Sequence, residues 1–134
     1  MTPDELVANY TAYLAAFNAK SFSGIKDHLS PDCTVYLKGK QIAKTRDEML
    51  PTYPVHWEKW PTPIELLDVR PIKSGVRTIL RDWDNHRDLE VDYIYNDKNL
   101  QIKHDIKETI PFNAKDLKDE VTAADEAIRG LDAE

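Results

Sequence analysis

Residues 64–110 offer almost nothing but strand, and no helix-based architecture can absorb so long a stretch. The run divides into four segments of about ten residues, parted by the turn signals Ser74-Gly75, Asn85-His86 and Asp97-Lys98. Turns this short join antiparallel neighbours, so the segments should form a meander. The last segment, NLQIKHDIKETI at 99–110, alternates apolar and polar residues. Halfway along, His104 takes a place where isoleucine or valine would be expected, with Asp105 beside it.

Two-residue hairpins at the three turns would fix the pairing. Val91 then faces His104, Leu80 faces Val91 and Val69 faces Leu80. The flanking rows on that face are Pro71, Thr78, Tyr93, Ile102 and Leu67, Asp82, Leu89, Ile106. Asp68, Arg81, Glu90 and Asp105 fall on the opposite face, so the first face is the buried one and His104 is expected inside. Glu108 falls on the same face, beside Glu65, Asp84 and Arg87, which reads as a rim of ion pairs. A single bulge would exchange His104 for Asp105.

Before the strands the chain reads as helical. Thr2-Pro-Asp-Glu5 is a capping box with proline in the first turn, and Leu6, Tyr10, Tyr13, Leu14 and Phe17 follow at helical spacing. A short helix with Phe22, Ile25 and Leu29 follows Ser21, and residues 33–37 read as a strand closed by Gly39. Thr45-Arg-Asp-Glu48 opens a third helix, which Pro51 and Pro54 should break or kink. Residues 53–60 (YPVHWEKW) are then an irregular, stiff aromatic segment, either a lid on the core or a ligand-facing wall. After Phe112 the chain turns acidic. Leu117, Val121, Ala124, Ile128 and Leu131 form a narrow helical seam there, so the expected division is a domain at 1–112 and a helix or tail at 113–134.

Composition excludes several classes. At 134 residues, with net charge −6 and no basic cluster, one globular domain is expected, without nucleic acid or an anionic membrane as partner. No apolar run approaches the roughly 18 residues of a membrane span, and the N-terminus lacks a signal-peptide pattern. A single cysteine, Cys33, fits a reducing compartment, so a cytoplasmic protein is expected. The histidines lack metal-ligand spacing and no Gly-rich phosphate loop occurs, so neither metal nor cofactor is expected.

The order helix, helix, short strand, kinked helix and four long strands resembles the nuclear-transport-factor-2-like superfamily, and within it the SnoaL-like, polyketide cyclase-like branch. Residue-level echoes are Phe17-Asn18, Leu29-Ser-Pro-Asp-Cys-Thr-Val35 and Ile102-Lys-His-Asp-Ile106. The resemblance implies an α+β cone: a strongly curved antiparallel sheet wrapped around N-terminal helices, enclosing an apolar cavity. It implies an acid–base aspartate or histidine on the last strands, often near His-x-Asp. Here His104 and Asp105 have no spacer, so either could hold that place. It also implies a homodimer formed through the outer sheet face, where Ile79 and Trp83 could anchor a contact.

A histidine in an apolar cavity can act as a base near neutral pH, with a carboxylate holding its tautomer and a tyrosine polarising a carbonyl. That chemistry is cofactor-free isomerisation, cyclisation or dehydration of a small apolar or aromatic metabolite. The candidates are His104, Asp105 and Asp82 for proton transfer, with Tyr13, Phe17, Tyr36, Tyr53, His56, Trp57 and Tyr93 as ligand-binding wall. The plainer accounts are a core histidine satisfied by a neighbour, a paired Asp82, and a non-catalytic binding or interaction module of the same fold.

Overall fold

A computed structural model describes residues 1–112 of the chain; the 113–134 seam lies outside the described residues. Helix α1 (Pro3–Asn18) and α2 (Phe22–His28) lead into β1 (Leu29–Leu37) and β2 (Lys40–Ala43). Two short helices, α3 (Arg46–Met49) and α4 (Thr52–Lys59), precede β3 (Glu65–Ile72), β4 (Gly75–Asp82), β5 (Arg87–Tyr95) and β6 (Gln101–Pro111). The strands form one curved, unclosed sheet in the order β2-β1-β6-β5-β4-β3. Every pairing is antiparallel except β1 with β6.

The capping box at α1 forms as its residues dictate: Glu5 N–H donates to Thr2 Oγ1, and Thr2 N–H donates to Glu5 Oε1 at 2.8 Å. Leu6, Tyr10, Tyr13 and Leu14 are buried against the concave face, where the Tyr10 ring packs at a tilt against Tyr93 with centroids 4.5 Å apart. The far end of α1 is clamped to the start of the meander. Asn18 Nδ2 donates to Ile64 O, and Ile64 N–H donates to Asn18 Oδ1, each at 2.9 Å.

The meander exists, but each hairpin is displaced by two residues from the two-residue-turn arithmetic. Leu80 faces Leu89, Val69 faces Thr78, and His104 faces Tyr93. A shift of two preserves the face while changing the row. The turns explain it. Ser74, at φ 60°, occupies the first loop and Gly75 instead begins β4, where a Cβ would lie 2.0 Å from the Tyr93 carbonyl oxygen. The loop after β5 is stretched because Asn96 Oδ1 accepts from both Lys98 N–H and Leu100 N–H.

Three bulges change the faces locally. One between Leu66 and Asp68 leaves Leu67 exposed and packs Leu66 on the core, reversing the expected inward Leu67. Another pairs Glu108 with Glu90 on the outer face, so the expected Glu108–Arg87 rim pair does not form. The third makes Gln101 oppose Tyr95 while Lys103 opposes Ile94. Its consequence is decisive for the site.

The irregular lid expected at residues 53–60 is helical through Lys59. Proline is tolerated in a first helical turn because the N–H groups there have no helical acceptor, and Pro51 is the N-cap of α4 with Pro54 in its first turn. The chain therefore breaks between α3 and α4 and restarts. Strand β2 and the parallel β1–β6 pairing have no local signature in the sequence.

Candidate active site

Between α1, α4 and the concave face lies a cavity of about 340 Å³. Val35, Leu80, Val91 and Ile106 supply apolar floor; Tyr13, Phe17, Tyr53 and His56 close it from the helices. An apolar enclosure with a few polar groups is the usual form of a small-molecule site.

One polar end is built on β6. His104 alternates inward with Ile106 and is 6 % exposed, as its place in the strand period requires. The bulge brings Gln101 to the same side although it stands three residues away, and Gln101 is wholly buried. Gln101 Nε2 donates to Tyr95 Oη at 3.0 Å, which leaves its carbonyl oxygen 2.6 Å from His104 Nε2. That oxygen can only accept, so His104 carries its proton on Nε2 and the lone pair on Nδ1. Nδ1 has no hydrogen-bond partner among the described residues. Burial lowers the His104 pKa to about 3, because the imidazolium would be stripped of water. The ring packs edge-on against Tyr93 at 4.7 Å and Tyr13 at 5.8 Å.

The cavity lining also holds a tyrosine pair, Tyr13 Oη and Tyr53 Oη, 2.8 Å apart. Burial raises both phenols above their ordinary value, so they stay protonated hydrogen-bond donors. Burial pushes Tyr93 up to about 12 in the same way.

The other end is formed by Asp82, Arg87 and His56, all of which line the cavity. Asp82 is 2 % exposed and accepts from Asn85 N–H at 3.3 Å and Asn85 Nδ2 at 2.8 Å. Arg87 Nε stands 3.5 Å from Asp82 Oδ2. Burial lowers the pKa of His56, partly offset by the nearby carboxylate of Asp82.

Of the sequence-derived candidates, His104, Asp82, Tyr13, Phe17, Tyr53, His56 and Tyr93 line the cavity. Three do not. Asp105 pairs with Asp92 and Tyr36 across the outer side of the sheet, because it is one residue out of phase with His104. Tyr36 shares that phase and lies under Lys103 Nζ, 4.9 Å from the ring centroid. Trp57 packs behind the wall against Phe17 and Tyr53, since its position on α4 turns it off the cavity side. The sequence reading missed Gln101, whose inward turn depends on a bulge without a residue signature, and Arg87, which the two-residue turn placed with Glu108. Among the described residues no group of three or more histidine, cysteine, aspartate or glutamate side chains could hold a metal, and no helix is long and apolar enough to cross a membrane. Cys33 is buried, and burial pushes its thiol up to about 12.

No family model and no curated protein matches this sequence. Solved structures match its fold. A SnoaL-like protein of unknown function from Burkholderia thailandensis aligns over 78% of this chain and 95% of its own, with a TM-score of 0.69 and 10% identity. An epoxide hydrolase/cyclase-like enzyme of pyran ring formation in the polyether salinomycin aligns over 81% and 97%, with a TM-score of 0.62 and 10% identity. A proposed ketosteroid isomerase from Kribbella flavida aligns over 90% and 91%, with a TM-score of 0.60 and 14% identity. The architecture is the nuclear-transport-factor-2-like fold of SnoaL-like proteins.

Proposed function

We propose that this chain is a cofactor-independent enzyme of the isomerase, cyclase or dehydratase kind, acting by proton transfer on a small apolar or aromatic metabolite. One observation carries the reading. A buried histidine in the wall of an apolar cavity has one ring nitrogen held by a buried amide and the other without a hydrogen-bond partner among the described residues. Nδ1 is therefore the atom that takes a proton from a bound substrate. Gln101, rather than a carboxylate, holds the tautomer.

The remaining groups fit that chemistry. Proton abstraction beside a carbonyl leaves charge on its oxygen, and the Tyr13–Tyr53 pair offers a hydroxyl to that oxygen. A histidine at about pKa 3 is neutral across the physiological range. Its proton affinity rises when negative charge develops on a substrate beside it in a low dielectric. The cyclase-like and isomerase-like structural neighbours support the reaction class.

The same low proton affinity favours a second reading, a ligand carrier without turnover. Deuterium exchange separates the two. With 2-tetralone in D₂O as probe ketone, the enzyme should accelerate exchange of the protons beside the carbonyl. Replacing His104 by phenylalanine should reduce that rate on the order of 10²-fold, the usual worth of one general base. Equal exchange by the folded His104→Phe protein would falsify the assignment and leave the carrier.

A further inference from the structure

The Asp82 end of the cavity is more than a buried ion pair. We propose that it is a binding subsite for a neutral oxygen function, a hydroxyl or carbonyl, so that the ligand is an elongated apolar molecule with an oxygen at each end. The inference builds on the cavity reading above and adds the far end of its ligand.

Distance argues first. Asp82 faces Arg87 across the sheet, whereas His104 faces Tyr93. At about 3.3 Å per residue, the backbone of β5 from 87 to 93 spans roughly 20 Å, and the Arg87 and His104 side chains that line the cavity shorten the gap between the polar groups. One cavity touches both ends, with Leu89 and Val91 of the intervening strand in its wall. A ligand that engages His104 and fills this space must reach the second end with an apolar body.

Unmet polar groups argue next. Arg87 Nε and His56 Nε2 are both buried with no hydrogen-bond partner among the described residues. Asp82 and Arg87 approach each other to 3.5 Å without hydrogen-bonding through Nε. Buried polar nitrogens are ordinarily paired, and two orphans in one cavity wall mark places for a ligand oxygen.

Charge selects the class. Arg87 already stands against Asp82, and Asp84, fixed by Thr62 N–H at 2.9 Å and Thr62 Oγ1 at 2.6 Å, lies close enough to act on His56. Glu48 also lines the cavity. A carboxylate or phosphate would meet more negative charge than positive. A carbonyl oxygen can instead accept from Arg87 Nε–H, and a hydroxyl can also donate to Asp82, without adding charge to the site.

Three probes test this by NMR-monitored titration: 4-hydroxybiphenyl, 4,4′-dihydroxybiphenyl and biphenyl-4,4′-dicarboxylate. The wild-type protein should bind the two-ended diol roughly tenfold more tightly than the one-ended phenol, the worth of one additional buried hydrogen bond. Arg87→Met and His56→Phe should each remove that gain, so that within each variant the diol binds no more tightly than 4-hydroxybiphenyl. Equal affinities in the wild type, or a gain that survives both substitutions, overturns the subsite. Tightest binding by the dicarboxylate overturns its neutral class. The histidine rings separate the two proposals. A response confined to His56 keeps the subsite and sinks the proton-transfer reading, and one confined to His104 does the reverse. Failure of all three probes to bind overturns the subsite and the proposed cavity function together.

Discussion

His104 and Asp105 are consecutive, yet the sheet gives them different physical worlds. The inner face surrounds His104 with Tyr13, Tyr93 and a buried amide and lowers its pKa to about 3. The outer face carries paired charges: Arg81 reaches both carboxylate oxygens of Asp88 at 2.8 and 3.0 Å, and Arg77 does the same to Asp92 at 2.9 and 3.0 Å. Burial alone would raise Asp92, but the hydrogen bonds from Arg77 and Lys107 hold it below the usual carboxylate value. One face stabilises by excluding water and the other by matching ions at its edge. Losses on the inner face should therefore be the larger.

The strongest break of that comparison is Leu80→Ala. Leu80 is 5 % exposed in the cavity floor, and truncation should cost about 2–4 kcal/mol in urea unfolding, since the surrounding strands cannot collapse into the space. Its outward neighbour tests the other face. Arg81→Ala should cost about 1 kcal/mol or less, as a partly solvated ion pair does. Equal losses would mean that both faces stabilise the sheet to the same degree.

Acid should separate the faces by pH window. His104 is near its ordinary 6.5 when unfolded and about 3 when folded. Between those values the unfolded chain binds the extra proton, so stability falls as pH drops through 6.5 toward 3. The loss should be about 2 kcal/mol by pH 5. Asp92 acts in the same sense but in a lower window: its contribution is complete above the ordinary carboxylate value and is lost only as pH falls below about 4. Denaturation midpoints between pH 7 and pH 5 should accordingly fall less steeply in His104→Phe than in wild type. An unchanged slope would show that His104 is not buried neutral.

The smallest expected effect is the sharpest check on side-chain direction. Asp105→Ala should change stability by less than about 0.5 kcal/mol and leave exchange at 2-tetralone unaltered. A loss of exchange comparable to that of His104→Phe would place Asp105 in the mechanism after all.

Much of this was legible in the residues because alternation is a local signal. Tyr10, Tyr13 and Leu14 announce the buried side of α1, and the apolar rows of the meander identify its concave face. The first turn closes one residue earlier and the other two loops are longer than two residues, yet these slips leave His104, Asp82 and Tyr93 inside. Gln101 was invisible. It stands out of phase with His104, and a bulge turns it inward.

Local residue patterns are enough to set the four long strands, the faces of most of their residues, the capped first helix and a histidine that had to lie inside. Those follow from 2-residue and 3.6-residue periods and from caps a few residues long. Tertiary structure decided the rest: the parallel β1–β6 pairing, the restart of α4 after Pro51, and the bulge that joins Gln101 to His104. It also brought α1, α4 and the hairpin of Asp82 and Arg87 around one cavity. Those features depend on groups far apart in the chain, and no local pattern carries the geometry of their meeting.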